Sequence, residues 1–404
     1  MIEETSVHTD REVQRSRRAY AKRAIQILLA VLLVVVGLMI LLAVSGPESK
    51  PSSPAGSSKE WKFVVAGDSR NCGDVIMPMI AEAAAAEHPA FYWHLGDLRA
   101  TTGPDEDMGK FDAKTHALVP MGLAAYHDLE WKDFQQKQVA AFDKQGIPFY
   151  LGIGNHETAP PKSREEFLKV FHDLLNIGPL KKQREQDKED TPETYYHWIK
   201  DGIDFIYLDN ATGEQFDAAQ MKWIKTRLDH DQNDPSIRTV VLGMHKGLPG
   251  SYTDFHSMSE TPAGVQSGRC VYRKLLELQK QASKQVYVLA SHSHFYMENI
   301  YDTPYWKKEG VLPGWIIGTA GAVRYRVPAG VPAGTAKTDV YGYLVGTVNA
   351  DGQPGAIRFE FREISKPAGD QVNAKKDLIN FCFDQNRSME PTVNPAPPPE
   401  TSCE

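Results

Sequence analysis

Six short apolar runs, each breaking off at a polar or metal-type residue, constrain this chain more than any other feature. Residues 61–66 stop at Gly67-Asp68, 90–95 at Gly96-Asp97, 148–153 at Gly154-Asn155-His156, 203–208 at Asp209-Asn210, 239–244 at His245 and 285–290 at Ser291-His292. Runs of this length, rich in β-branched and aromatic residues, read as buried strands. Helical periodicity occupies the gaps at 75–87, 131–145 and 268–281. Strand and helix in alternation predict an α/β sheet with helices on its faces, and ligands of such sheets gather beyond the carboxyl ends of the strands. The polar residues all fall there. After His294 the pattern changes to a run at 314–321 and two alternating runs, 341–349 and 355–364, joined through Asp351-Gly352. That is a hairpin signal, and it predicts a second sheet with antiparallel character.

The ends of the 404-residue chain differ from its middle. Residues 24–44 carry no charge, and these 21 residues match the roughly 20 that a helix needs to cross a bilayer. Six basic against four acidic residues in 1–23 make that stretch a cytoplasmic arm by the positive-inside rule. A signal anchor of this kind leaves the large domain extracytoplasmic, periplasmic or extracellular. A cleaved export signal is the other reading, because Ser16-Arg17-Arg18-Ala19-Tyr20-Ala21-Lys22 resembles a twin-arginine signal, with Tyr20 and Ala21 departing from its usual Phe and Leu. Residues 45–60, rich in Ser, Pro and Gly, read as a flexible linker, 61–390 as the folded domain and the Pro-rich 391–404 as a disordered tail. The charged run 181–193 reads as a solvated loop. A net charge of −7 argues against a nucleic-acid partner. Cys72, Cys270, Cys382 and Cys403 show no C-x-x-C pair, which excludes a zinc ribbon; a disulfide is permitted in an oxidising compartment, with the pairing open.

Carboxylate, imidazole and amide oxygen are the ligands that divalent metals of the Mn, Fe and Zn class accept. The chain offers Asp68, Asp97, Asn155, His156, His245, His292 and His294, each at a strand end. Singly, each has an ordinary explanation: an Asp after a strand is usually a turn or cap residue, and a lone His a satisfied surface or core group. Their joint placement does not.

The series Gly67-Asp68-Ser69-Arg70, Gly96-Asp97-Leu98-Arg99, Gly154-Asn155-His156-Glu157, Met244-His245 and Ser291-His292-Ser293-His294 resembles the five-block signature of the calcineurin-like metallophosphoesterases, which include the purple acid phosphatases. The resemblance implies a four-layer αββα sandwich of two mixed sheets over about 61–364. It implies that Asp97 bridges two metal ions, Asp68 and His294 holding the first and Asn155, His245 and His292 the second. His156 would contact the phosphoryl oxygen or protonate the leaving group, with Asn155 also near substrate. Two cations would acidify a bridging water and neutralise phosphoryl charge.

The chain departs from the pattern at two places. Arg70 stands where most of the family has the His of Asp-x-His, and Arg cannot ligate a metal. Purple acid phosphatases also lack that His but carry a Tyr three residues after the bridging Asp, where this chain has Ala100. The first metal thus has one protein ligand fewer. A water or another side chain completes its shell, or the site fills only at high metal, or Arg70 grips the phosphate in a bidentate fork; the reading favoured is the fork together with a water-completed site. Arg99, two residues past the bridging Asp, is assigned to the mouth as a substrate contact, with a surface ion pair as its alternative. Ser291 replaces a family Gly. His94 is assigned a core or supporting role. His127, His172, His197, His230 and His256 lack partners at any defensible spacing, although His256 reaches the rim.

The function expected is hydrolysis of a phosphomonoester or phosphodiester, a small molecule or a lipid, by metal-bound hydroxide in a dinuclear site. The alternative is a noncatalytic or mononuclear ectodomain whose first metal site has decayed at Arg70. No Gly-x-Ser-x-Gly elbow supports a serine hydrolase.

Overall fold

The computed structural model describes residues 59–213, 215–368 and 374–388. The basic arm, the uncharged stretch 24–44, nearly all of the linker and the Pro-rich tail lie outside these residues. Among the described residues no helix is long and apolar enough to cross a membrane.

Two mixed sheets carry the fold. The first holds β1 (Trp61–Ala66), β2 (Tyr92–His94), β3 (Phe149–Leu151), β11 (Gly342–Val348) and β12 (Ile357–Glu363) in the order β12-β11-β1-β2-β3. Strands β1, β2 and β3 run parallel, whereas β11 and β12 pair antiparallel. The second holds β4 (Tyr196–Lys200), β5 (Ile203–Leu208), β6 (Thr239–Met244), β7 (Gln285–Ala290), β8 (Tyr296–Glu298), β9 (Gly314–Ile317) and β10 (Ala336–Lys337) in the order β10-β8-β9-β7-β6-β5-β4. Its centre, β5-β6-β7-β9, is parallel, and the outer strands β4, β8 and β10 pair antiparallel. The expected hairpin is β11-β12, and its turn places Asn349, Asp351, Gly352 and Gly355 at positive φ.

Alternation along the strands decides the layers. Phe205 and Tyr207 of β5 face the other sheet, where Phe205 meets Phe63 edge-on at 5.2 Å and Tyr207 donates to the Ile153 carbonyl at 2.8 Å. Ile206 and Leu208 point the opposite way and pack with Ile224 and Leu228 of α4 (Ala218–Asn233) and Leu275 of α5 (Pro262–Gln281). On the far side of the first sheet lie α1 (Gly73–Ala85), burying Ile76, Met77, Ile80 and Ala84, and the helical stretch 123–144 that includes α2 (Leu123–Asp133). The layers therefore follow helix, sheet, sheet, helix. Large rings fill the gap between sheets, among them Trp93 on Trp198 at 5.2 Å and Tyr150 on Trp198 at 4.3 Å. Glycines admit them: a Cβ on Gly243 would stand 2.4 Å from Trp93, and one on Gly152 2.3 Å from Tyr207.

Helix α5 begins earlier than its apolar rhythm shows. Thr261 accepts from the Gly264 amide and Pro262 opens the first turn, a regular N-terminal device. Its Gly268 lies against Pro249, where a Cβ would come within 2.4 Å. The charged run 181–193 departs from the solvated loop expected of it. Residues Gly178–Asp187 form helix α3, and its Asp187 reaches the sheet edge.

His197 on β4, expected to be ordinary, is clamped between carboxylates, with Nδ1 2.8 Å from Asp204 and Nε2 2.6 Å from Asp187. Burial lowers its pKa, but Asp204 and Asp187 outweigh this and raise it to about 9. Cys72, at the start of α1, is disulfide-bonded to the buried Cys382 of the C-terminal segment, 310 residues away.

Two outcomes follow from these fixtures. The folded imidazole of His197 holds its proton more tightly than the unfolded one, so its stabilisation is complete below about pH 6.5 and is lost as pH rises through about 9. Chemical denaturation at a series of pH values should show stability falling between pH 7 and 9, with a shallower fall in His197→Gln; identical slopes would remove His197 from that role. Paired Cys72→Ala and Cys382→Ala changes should cost roughly 2–5 kcal/mol, because they release a constraint on the unfolded chain, and an unchanged urea midpoint would contradict it.

Candidate metal centre

The carboxyl ends of both sheets meet at one edge. Loops after β1, β2 and β3 deliver Asp68, Asp97, Asn155 and His156, and loops after β6 and β7 deliver His245, His292 and His294. Three of these residues hold left-handed backbone, Asp68 at φ 61°, Asp97 at φ 58° and His292 at φ 66°. Such conformations are unfavourable for side chains with a Cβ and persist only where surroundings over-determine them. Here the Asp68 amide donates to Gly96 and the Ser69 amide to Asp97. Glu157, fully buried, accepts from the amides of Asp97, Leu98 and Gly154 at 2.7–3.0 Å. The Glu of the Gly-Asn-His-Glu block is thus a staple that joins two strand ends.

His245 is oriented by its Nδ1, which lies 2.9 Å from the Leu95 carbonyl and 3.1 Å from the Ser291 hydroxyl. A carbonyl only accepts, so Nδ1 carries the proton and Nε2 presents a lone pair. Around that Nε2 stand Asn155 Oδ1 at 3.1 Å, His292 Nδ1 at 3.1 Å and Asp97 Oδ1 at 3.2 Å. These are acceptor-type atoms converging on one buried point. Ligand atoms of Asp68, Asp97, His245 and His292 all lie within 4.8 Å of one another. Without a cation only a proton can relieve the crowding: burial lowers the pKa of His245, but Asp97 and Asp68 raise it to about 9. Burial followed by the neighbouring His245 drives His292 well below its ordinary value. The donor set fits one divalent ion of the Mn, Fe or Zn class.

The other side of Asp97 differs. His294 Nδ1 donates to the Val323 carbonyl at 2.7 Å, which leaves Nε2 as an acceptor 3.2 Å from Asp68 Oδ1. Arg70 donates from Nη2 to that Nε2 at 3.1 Å, and its Nε lies 3.7 Å from Asp97 Oδ2. Asp68 Oδ1 and Asp97 Oδ2 are buried and have no hydrogen-bond partner among the described residues. His156 sits on the same side: its Nδ1 meets the Ala100 carbonyl and its Nε2 lies 3.7 Å from Asp97 Oδ2.

The structure therefore brings together Asp68, Arg70, Asp97, Asn155, His156, His245, His292 and His294. Arg99 is not with them. It is fully buried, and its terminal nitrogens pair with Asp74 and Asp133 at 2.5 Å, Asp107 at 3.1 Å and Asp105 at 3.5 Å. With four carboxylates around it the guanidinium is committed to the structure, which corrects its assignment to the mouth; the alternative surface ion pair fails too, since the pairs are interior. His94 supports the first loop, its Nε2 3.0 Å from the Ser69 hydroxyl. Ser291 fits in place of Gly because Gly67 opposite has no Cβ, which would stand 2.6 Å from its hydroxyl.

The sequence does not single out Tyr325, whose ring stacks at 4.1 Å on His294, the imidazole to which Arg70 donates. Nothing in the spacing marks it, because it lies in irregular chain. His256 does reach the rim, 5.0 Å ring to ring from His292, and with Glu260 and His292 it forms a second ligand-type group. The fourth strand-end pair, Asp209-Asn210, is structural: Asn210 accepts from the Lys246 amide and donates to its carbonyl, which fixes the loop after His245.

No protein-family model and no curated protein matches the sequence. Among solved structures, a purple acid phosphatase from yellow lupin seeds aligns at 14% identity and TM-score 0.49 over 76% of this chain and 52% of that one. The chain thus spans about half the length of the lupin protein. PhoD aligns at 14% identity and TM-score 0.48 over 81% and 77% of the two chains. A dimetal phosphatase from Danio rerio aligns at 11% identity and TM-score 0.43 over 75% and 96%. The five blocks by which this chain resembles the calcineurin-like metallophosphoesterases are the same five that its fold gathers at a single edge.

Proposed function

We propose that this chain is a metal-dependent phosphoester hydrolase. The observation that carries the reading is the set of acceptor atoms crowded around His245 Nε2 at 3.1–3.2 Å, which a bound cation would satisfy together. A cation bound there supplies an acidified water and neutralises charge on the phosphoryl group. Asp97 and Asn155 bring oxygen ligands, and the carbonyl of Leu95 fixes the tautomer of His245. His156, tied at Nδ1 to Ala100, turns Nε2 toward the centre and is suited to protonate a departing ester oxygen. Arg70 offers N–H donors to phosphoryl oxygens.

The two-ion form implied by the blocks would be held by Asp97 in common, with Asp68 and His294 on one side and Asn155, His245 and His292 on the other. The His245 side gathers ligands for one ion of that form, whereas on the Asp68–His294 side Arg70 donates to His294. The substrate class is a small-molecule or lipid phosphoester. We also propose an extracytoplasmic location, anchored by 24–44 or reached by cleaved export; the uncharged segment and its basic flank support this, and so does the Cys72–Cys382 disulfide, of a kind that persists in oxidising compartments.

Protein loaded with Mn²⁺, Fe or Zn²⁺ should cleave an aryl phosphate or a bis-aryl phosphate. His156→Ala should lower kcat by roughly 10²-fold to 10⁴-fold, and Asp97→Ala should abolish turnover and release metal. Both variants cleaving as well as the parent protein would overturn the assignment.

A further inference from the structure

We propose that Arg70 is a built-in cation occupying the place of a second metal, so that the centre binds one metal ion per chain and pairs it with a guanidinium. The inference rests on the phosphoester reading for what the centre does, but its own content is how many ions the centre holds.

Three observations carry it. First, the imidazole ligand of a second ion is already spent. His294 gives its Nδ1 proton to Val323 at 2.7 Å, and its single remaining lone pair, on Nε2, accepts from Arg70 Nη2 at 3.1 Å. Second, Arg70 stands against the acceptors that a second ion would use. Its Nη2 lies 3.1 Å from His294 Nε2 and its Nε 3.7 Å from Asp97 Oδ2, two of the atoms that would hold such an ion. An ion there would meet like charge and compete for the same acceptors. Third, Arg70 is held. Its side chain is 15% exposed, the Tyr325 ring stacks on the same His294 imidazole to which Arg70 donates, and the next two residues are fastened. The Asn71 amide donates to Asp105 at 2.6 Å, and Cys72 is disulfide-bonded to Cys382.

A guanidinium differs from a metal ion in what it can do. It offsets one of the two negative charges of the Asp68–Asp97 pair and presents a planar fork of donors to phosphoryl oxygens, but it cannot coordinate a water and acidify it. Activation of water therefore falls to the His245 side and the grip on the phosphoryl group to Arg70.

Counting metal tests this. The whole protein, incubated with excess Mn²⁺ and freed of unbound ion, should retain one Mn per chain by elemental analysis. Its electron paramagnetic resonance spectrum should be that of an isolated Mn²⁺. Arg70→His should retain two per chain and give an exchange-coupled spectrum. Arg70→Ala should lose activity at least tenfold and recover part of it on addition of millimolar guanidinium, an outcome that a merely structural role would not produce. Two coupled ions in the unaltered protein would overturn the inference while leaving the hydrolase reading intact. No retained ion would overturn both. One ion with full activity in Arg70→Ala would overturn the role given to the guanidinium.

Discussion

A carboxylate removed from water and left without enough donors is the constraint on which this structure turns. Asp97 is fully buried, and its Oδ2 has no hydrogen-bond partner among the described residues. Burying such a charge is costly unless a cation or several donors compensate. Around Asp97 the chain places Arg70, His156 and His245, each on a different loop. Burial alone would raise the pKa of Asp97; His245, His156 and Arg70 outweigh it and hold the group well below the ordinary carboxylate range. The anion is thus maintained by positive charge, and the geometry on its Oδ1 side leaves room for that charge to be a metal ion.

Fold and centre are one mechanical problem. The site needs strand ends from two sheets within a few ångströms, and that requires the sheets to be locked against sliding. The rings between them do this, with tyrosine hydroxyls crossing to opposite carbonyls: Tyr207 bonds to Ile153 and Tyr196 to Leu151. Glu157 then ties the ends of β2 and β3, and Asn210 ties the ends of β5 and β6. Left-handed backbone at Asp68, Asp97 and His292 is sustained by this lattice and turns their side chains to a common point.

Much of this was legible in the sequence. Buried strands announce themselves as uninterrupted apolar runs, and all six predicted runs are strands of the two sheets. The metal-type residues were legible because each follows a strand directly. The short outer strands β4, β8 and β10 were not, because so few residues carry too little periodicity. The partners of charged residues were also out of reach. Arg99 finds Asp74 and Asp133, 25 and 34 residues distant; His197 is gripped by a helix that reads as a charged loop; the four cysteines allow several pairings. Arg70 was noticed as a departure, but only the folded chain brings Tyr325 and His294 beside it.

The central claim is that Asp97, Asn155, His245 and His292 form a ligand set for a cation. Anomalous X-ray scattering from crystals grown with Mn²⁺ tests it most directly. A cation held by these residues gives an anomalous peak bounded by Asp97 Oδ1, Asn155 Oδ1, His245 Nε2 and His292 Nδ1. Saturating Mn²⁺ with no peak among those four atoms, or a peak only at some other part of the surface, would contradict it.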